Sequence, residues 1–172
     1  MHIVVDGYNL IRQSRQFRAL DRQDLETGRR ALVAALAAYK KIKPNTITVV
    51  FDGKDAPLGM PRRDHSQGIE LRFSGPGELA DAVIKRMANR ERQGLMVVSS
   101  DQEVVNYARA KGAGIIGVTE FEERLHLAQM MAGKGMAEGE PAEGWAATTK
   151  KRGPAKRLPK RQRLMQRKTD KL

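Results

Sequence analysis

At 172 residues the chain is long enough for one ordinary domain with a real core, and hardly for two. It has no cysteine, which excludes disulfides and thiolate-bound zinc or iron–sulfur centres. No stretch approaches the roughly 18 apolar residues of a membrane span and no signal-peptide pattern opens the chain, so a cytoplasmic location without membrane contact is expected.

The net charge of +12 points to a polyanionic partner, nucleic acid ahead of an anionic membrane surface. Most of that charge is local. From Gly133 to the C-terminus there are 12 Lys/Arg against 4 Asp/Glu, which leaves the preceding body close to balance.

In chain order, strand candidates alternate with helix candidates, the mark of an α/β domain with a largely parallel sheet. "HIVVD" (2–6) reads as a short β-branched strand closing on Asp6, with Gly7 letting the chain turn behind it. Arg22 to Lys41 repeats Leu25, Leu32, Leu36 and Tyr39 at helical spacing before Pro44. "TITVVFD" (46–52) is a second buried strand, and the Gly-, Pro- and charge-rich stretch 53–68 reads as a long loop. "IELRF" (69–73) alternates as a half-exposed strand would. Glu78 to Arg92 reads as a helix with Leu79, Val83, Ile84, Met87 and Ala88 on its apolar side. "LMVVSSD" (95–101) is another buried strand. It is followed by a helix over about 102–111, a last strand at 113–118, and a helix capped by Thr119 that carries Phe121, Leu125, Ala128 and Met131. The domain is read as residues 1–132. Residues 133–172, without sustained period and densely basic after Thr149, are read as a tail disordered in isolation.

Three buried strands thus end in aspartate: "IVVD" at Asp6, "VVFD" at Asp52 and "VVSSD" at Asp101. In an open parallel sheet the carboxyl ends of the strands share one edge, where ligands bind. If these strands are neighbours, the three acids cluster, and Asp81, early in the 78–92 helix, joins them with Glu78 one turn before it. Any one of them alone serves as well for a turn or a helix cap, as Asp52-Gly53 and Asp101 before "QEVVNYA" illustrate. Crowded carboxylates resist ionisation, and a hard divalent cation such as Mg²⁺ or Mn²⁺ relieves that repulsion. Such an ion also activates water for phosphodiester hydrolysis.

These residues resemble a known family. "IVVDGYNLI", "VVFDG", "GELADAVI" and "VVSSDQEV" occur in the order found in the YacP-like branch of the NYN domains, within the PIN-like nuclease group, over roughly residues 1–128. The resemblance implies a three-layer α/β/α PIN-like domain with a mostly parallel central sheet, and a metal-dependent endoribonuclease acting on single-stranded RNA. Members of the branch are associated with RNA decay and, in some cases, with ribosomes. Carried over by position, Asp6 is the central metal ligand, with Asn9 beside it to orient a ligand or phosphate. Asp81 is the ligand borne on the helix and Asp101 the one from the later strand, with Ser99 and Ser100 supporting and Asp52 the least certain of the set. Two departures thin the acid count: Ala82 follows Asp81 where a second acid is common, and Gln102 and Glu103 stand where a denser acidic run is common.

RNA contact is assigned to Lys54, Arg62, Arg63 and His65 in the 53–68 stretch and to the tail residues Lys150, Lys151, Arg152, Lys156, Arg157, Lys160, Arg161 and Arg163. Tyr8 is placed either to stack a base or to pack, and Trp145 in the tail is a stacking candidate. The three histidines, His2, His65 and His126, lack zinc-ligand spacing. A phosphatase of the haloacid-dehalogenase type is set aside, because its second Asp, two residues after the nucleophile, is Tyr8 here. The alternative is a non-catalytic RNA- or ribosome-binding protein on the same fold.

Overall fold

Residues 1–56 and 59–134 are described by the structure, a computed structural model. β1 (His2–Asp6) lies at the centre of a six-stranded sheet, between β2 (Thr46–Phe51) and β5 (Leu95–Val98). Outside β2 come β4 (Ile69–Phe73) and the edge strand β3 (Arg63–Ser66), and outside β5 comes β6 (Gly114–Ile116), so the order is β3-β4-β2-β1-β5-β6. Every pairing is parallel except β3 with β4. β1, β2 and β5 are buried along almost their whole length, which accounts for their continuous apolar runs where a one-sided strand would alternate.

The chain builds outward from β1 on one side, then returns across the sheet to build on the other. The helices therefore divide between the faces, as right-handed crossovers require. α1 (Gly7–Gln13), α2 (Arg15–Asp21), α3 (Leu25–Ile42) and α6 (Val118–Lys134) share a core with Ile3, Val5, Val49 and Phe51. The other face is covered by α4 (Ala80–Glu91) and α5 (Gln102–Ala110), which bury Ile84, Met87, Val104 and Ala108 against Val4, Val50 and Val97. The result is the expected three-layer α/β/α arrangement. Because growth reverses at β1, the crevice outside its carboxyl end, flanked by the ends of β2 and β5, is the switch point where such sheets bind ligands.

Several expectations are corrected. The 53–68 stretch is not all loop: a 3-10 turn covers Gly53–Asp55, and Arg63–Ser66 pairs as β3. A two-residue hairpin turn, Gln67 (φ 52°) and Gly68 (φ 78°), joins β3 to β4, both in the left-handed region that a type I′ turn needs. Gly7 opens no loop, since it is the first residue of α1. A Cβ there would stand 2.3 Å from Cε1 of Phe51, so glycine is needed for close approach of the ring. Leu79 precedes α4 and is 59% exposed, while Leu25 and Met131 are also exposed rather than core. The last strand is shorter than 113–118, and Thr119 lies inside the first turn of α6, not at its cap. α6 runs to Lys134, two residues past the expected domain boundary. Trp145 and the tail cations from Lys150 to Arg163 lie outside the described residues.

Candidate active site

The register of the sheet brings the acids together. Asp6 is aligned with Val50 of β2, while its neighbour Val5 is aligned with Val98 of β5. Asp52 therefore follows two residues beyond the Asp6 level on one side, and Asp101 three residues beyond the last β1–β5 pair on the other. The condition set by the sequence, that the three strands be neighbours, is met.

Each of these carboxylates also holds backbone together. Asp6 is the N-cap of α1, its Oδ1 accepting the Asn9 N–H at 3.3 Å, while its Oδ2 accepts the Ser99 hydroxyl at 3.1 Å. Asp101 caps α5, with Oδ1 accepting the N–H groups of Glu103 (2.8 Å) and Val104 (3.1 Å). Its own N–H donates to Ser99 Oγ at 3.1 Å, so one serine couples the end of β5 to Asp6. Asp52 Oδ1 accepts the Ala80 N–H at 2.8 Å and so fixes the start of α4 against the end of β2. Beneath that contact the Gly53 N–H donates to buried Ser74 Oγ (2.9 Å), whose hydroxyl donates to the Glu78 carbonyl (2.6 Å). A Cβ on Gly53 would stand 2.0 Å from the Ser74 carbonyl oxygen, so the approach admits only glycine.

Asp6 is 6% exposed, and its pKa is pushed up to about 6, mainly by desolvation, against the lowering effect of the Asn9 and Ser99 hydrogen bonds and with added repulsion from Asp81 and Asp52. Asp81, half-buried in the first turn of α4, is also raised, first by desolvation and then by the Asp101 charge, with Lys85 opposing. Asp52 thus adds repulsion at both Asp6 and Asp81, which are the two acids raised, and Asp101 adds it at Asp81.

The supporting residues are placed less uniformly. Asn9 turns its side chain toward the β5–α5 connection, where Oδ1 accepts the N–H (3.1 Å) and hydroxyl (3.0 Å) of Ser100, and Gln13 bonds to both. Asn9 therefore braces that connection from α1. Glu78 stands apart from the acids: it pairs with Arg86 and accepts the Gly75 N–H at 3.2 Å, and its pKa is lowered, chiefly by the Arg86 hydrogen bond. Tyr8 packs edge-on to Phe51 at 5.0 Å and accepts a hydrogen bond from buried Arg29, so it is core. Lys54 and Arg62 line a hollow of about 480 Å³ that begins at Asp52, and Arg63 and His65 lie exposed on β3. Sequence reasoning missed Gln13 and Lys85, whose signal was their spacing four residues after Asn9 and Asp81. A larger hollow, about 940 Å³ between α1–α2 and α6, meets the acid network only through Gln13.

Among the described residues no three His, Asp or Glu side chains converge closely enough to hold a metal ion unaided. The donor chemistry still suits a hard cation, because Asp6 and Asp81 carry a desolvation and repulsion cost that bound positive charge would remove. Mg²⁺ in particular is commonly held by one or two carboxylates, with waters and substrate phosphate completing its shell.

Among the described residues no helix is long and apolar enough to cross a membrane. The family model of the YacP-like NYN domain matches residues 3–171. The chain is 30% identical to "Uncharacterized protein YacP" of Bacillus subtilis over 86 residues, which spans about half the length of each. A crystal structure of Rae1 (YacP) from the same organism superposes with a TM-score of 0.68 at 23% identity, over 79% of each chain. A point-substituted form of that protein gives 0.63 at 24%, over 77% of this chain and 79% of that one.

Proposed function

Because the chain belongs to the YacP-like NYN domain family, which has a PIN-like nuclease fold, we propose that it is an endoribonuclease that cleaves single-stranded RNA with the help of Mg²⁺ or Mn²⁺. The observation that carries this reading is the pair of perturbed carboxylates, Asp6 and Asp81, set at the switch point between β2, β1 and β5. Asp6 and Asp81 hold the cation, Asp101 adds charge from the α5 cap, and Asp52 keeps α4 in place. When bound, the ion supplies a low-pKa water and offsets charge developing on phosphorus. Ser99 keeps the Asp6 carboxylate aimed, and the Asn9–Ser100–Gln13 contacts hold the β5–α5 connection at a fixed distance from it. Lys54 and Arg62 receive phosphates next to the cleavage point, and the basic tail adds affinity for RNA and for the ribosome, a polyanion of the same chemistry.

A second reading, an RNA- or ribosome-binding protein with vestigial acids, is favoured by the absence of a preformed three-ligand cluster among the described residues. Calorimetric titration with Mn²⁺, with and without a non-cleavable single-stranded RNA analogue, separates the two. The nuclease reading predicts weak binding to the free protein, tightened by the analogue and lost in Asp81→Asn. No detectable Mn²⁺ binding in either state, with RNA still bound, would favour the second reading.

A further inference from the structure

Adjoining the acidic edge is a second charged feature, which shares Arg62 with it and extends well beyond it. A groove of about 490 Å³ runs between the β3–β4 hairpin and the outer face of α4, and five arginines line it: Arg62, Arg63 and Arg72 from the hairpin side, Arg86 and Arg90 from the helix. Its only acidic lining residue is Glu78. Arg86 pairs with Glu78, Arg72 with Glu70 (2.8 Å) and Arg90 with Glu91 (2.8 Å), whereas Arg62 and Arg63 have no carboxylate in ion-pair reach among the described residues. The pairs on the helix are exposed at their arginine ends, both side chains being 64% exposed, so a phosphate can compete for them.

This groove is continuous with the hollow that starts at Asp52, for the two share Arg62, Phe73, Gly75 and Glu78. From the nuclease centre a path therefore leads past Lys54 and Arg62 and along α4 toward its C-terminal end. Arg86 and Arg90 are one helical turn apart, about 6 Å, close to the interval between successive phosphates of an extended strand. Facing rows of guanidinium groups on a strand and a helix suit the planar, forked geometry of phosphate contacts. The floor, Phe73, Val83 and Met87, is buried, so no aromatic face is offered to a base.

We propose that the arginine groove is a backbone track for the substrate: it holds single-stranded RNA on one side of the cleavage point, through Arg86 and Arg90 facing the hairpin arginines, without reading sequence. This rests on the nuclease reading for its substrate, but its test reads binding and not cleavage. The full chain and its Arg86→Gln/Arg90→Gln variant are titrated in Mn²⁺ with non-cleavable analogues of a long fluorescent single-stranded RNA of mixed sequence and of a trinucleotide, at several salt concentrations. For the long RNA the double variant should bind about tenfold more weakly, and the slope of log K against log salt should fall by about 1.4, the counterion release of two phosphate contacts. The trinucleotide, held at the centre alone, should bind equally to both, and thermal unfolding should be unchanged. An unchanged slope for the long RNA overturns the proposal. So does equal RNA binding accompanied by variant-sensitive binding of polyglutamate, which would assign the groove to an acidic protein. Absence of cleavage by wild type in Mn²⁺, with the slope effect intact, would count against the nuclease reading and leave the groove standing.

Discussion

The acidic edge and the arginine groove share one helix, α4, and are built in opposite ways. At the edge, Asp6, Asp52 and Asp101 each accept backbone N–H groups, and Asp6 is nearly inaccessible. Moving any of them disturbs the junction of a strand with a helix. In the groove the α4 guanidinium groups extend into solvent from a finished helix, and their partners are other surface side chains. The acids are fixed by the fold, whereas the α4 arginines are attached to it. Substitutions should therefore separate the two regions by size and by kind of effect.

The largest effect on stability belongs to Asp6. In the protein without cation its carboxyl titrates at about 6, against an ordinary value near 3.8, so between those pH values the folded state binds more protons than the unfolded state. Stability from this group is fully present below about pH 4 and is lost as pH rises through 6, by about 3 kcal/mol in all. Asp6→Asn removes that loss, so in chelator it should unfold at higher denaturant than wild type at pH 7.5 and show a flatter profile from pH 4 to 6. Parallel profiles for the two proteins would mean that Asp6 is not destabilised by its burial.

A smaller effect, opposite in sign, is expected at Asp52. Asp52→Ala leaves the Ala80 N–H at the start of α4 without its acceptor and should destabilise by about 1 kcal/mol, measured by urea unfolding. The smallest is at Arg90, whose loss breaks one exposed ion pair. Arg90→Gln should change stability by less than about 0.5 kcal/mol while still weakening RNA binding. If Arg90→Gln proved more destabilising than Asp52→Ala, the division into a built-in edge and an attached groove would fail.

How far the sequence could be read follows the same division. The long apolar strands β1, β2 and β5, each closing on an acid, announced the sheet and its binding edge, because a buried parallel strand leaves an unbroken hydrophobic run. The two seven-residue helices α1 and α2 were missed. Two turns give too short a period, and Gly7 and Asn9 at the start of α1 read as turn residues. β3 was missed because RDHS is a polar edge strand with no apolar alternation. The groove was invisible because Arg72, Arg86 and Arg90 look like solvated faces of separate elements until the sheet order places the hairpin beside α4. Leu79 misled in the other direction: a leucine in phase with an apolar stripe lies one residue before the helix begins, and so points outward.

The most direct test of the account is cleavage of single-stranded RNA by the full chain at pH 7.5 in Mn²⁺, beside Asp6→Asn and Asp81→Asn, with thermal unfolding of each recorded in the same buffer. Wild type should cut internally and stop on chelation. Both variants should stay folded and lose at least about a hundredfold in rate, the scale expected when stabilisation of transition-state charge is removed. Cleavage by Asp6→Asn at the wild-type rate, or by wild type in chelator, would contradict the assignment of the acidic edge as the catalytic centre.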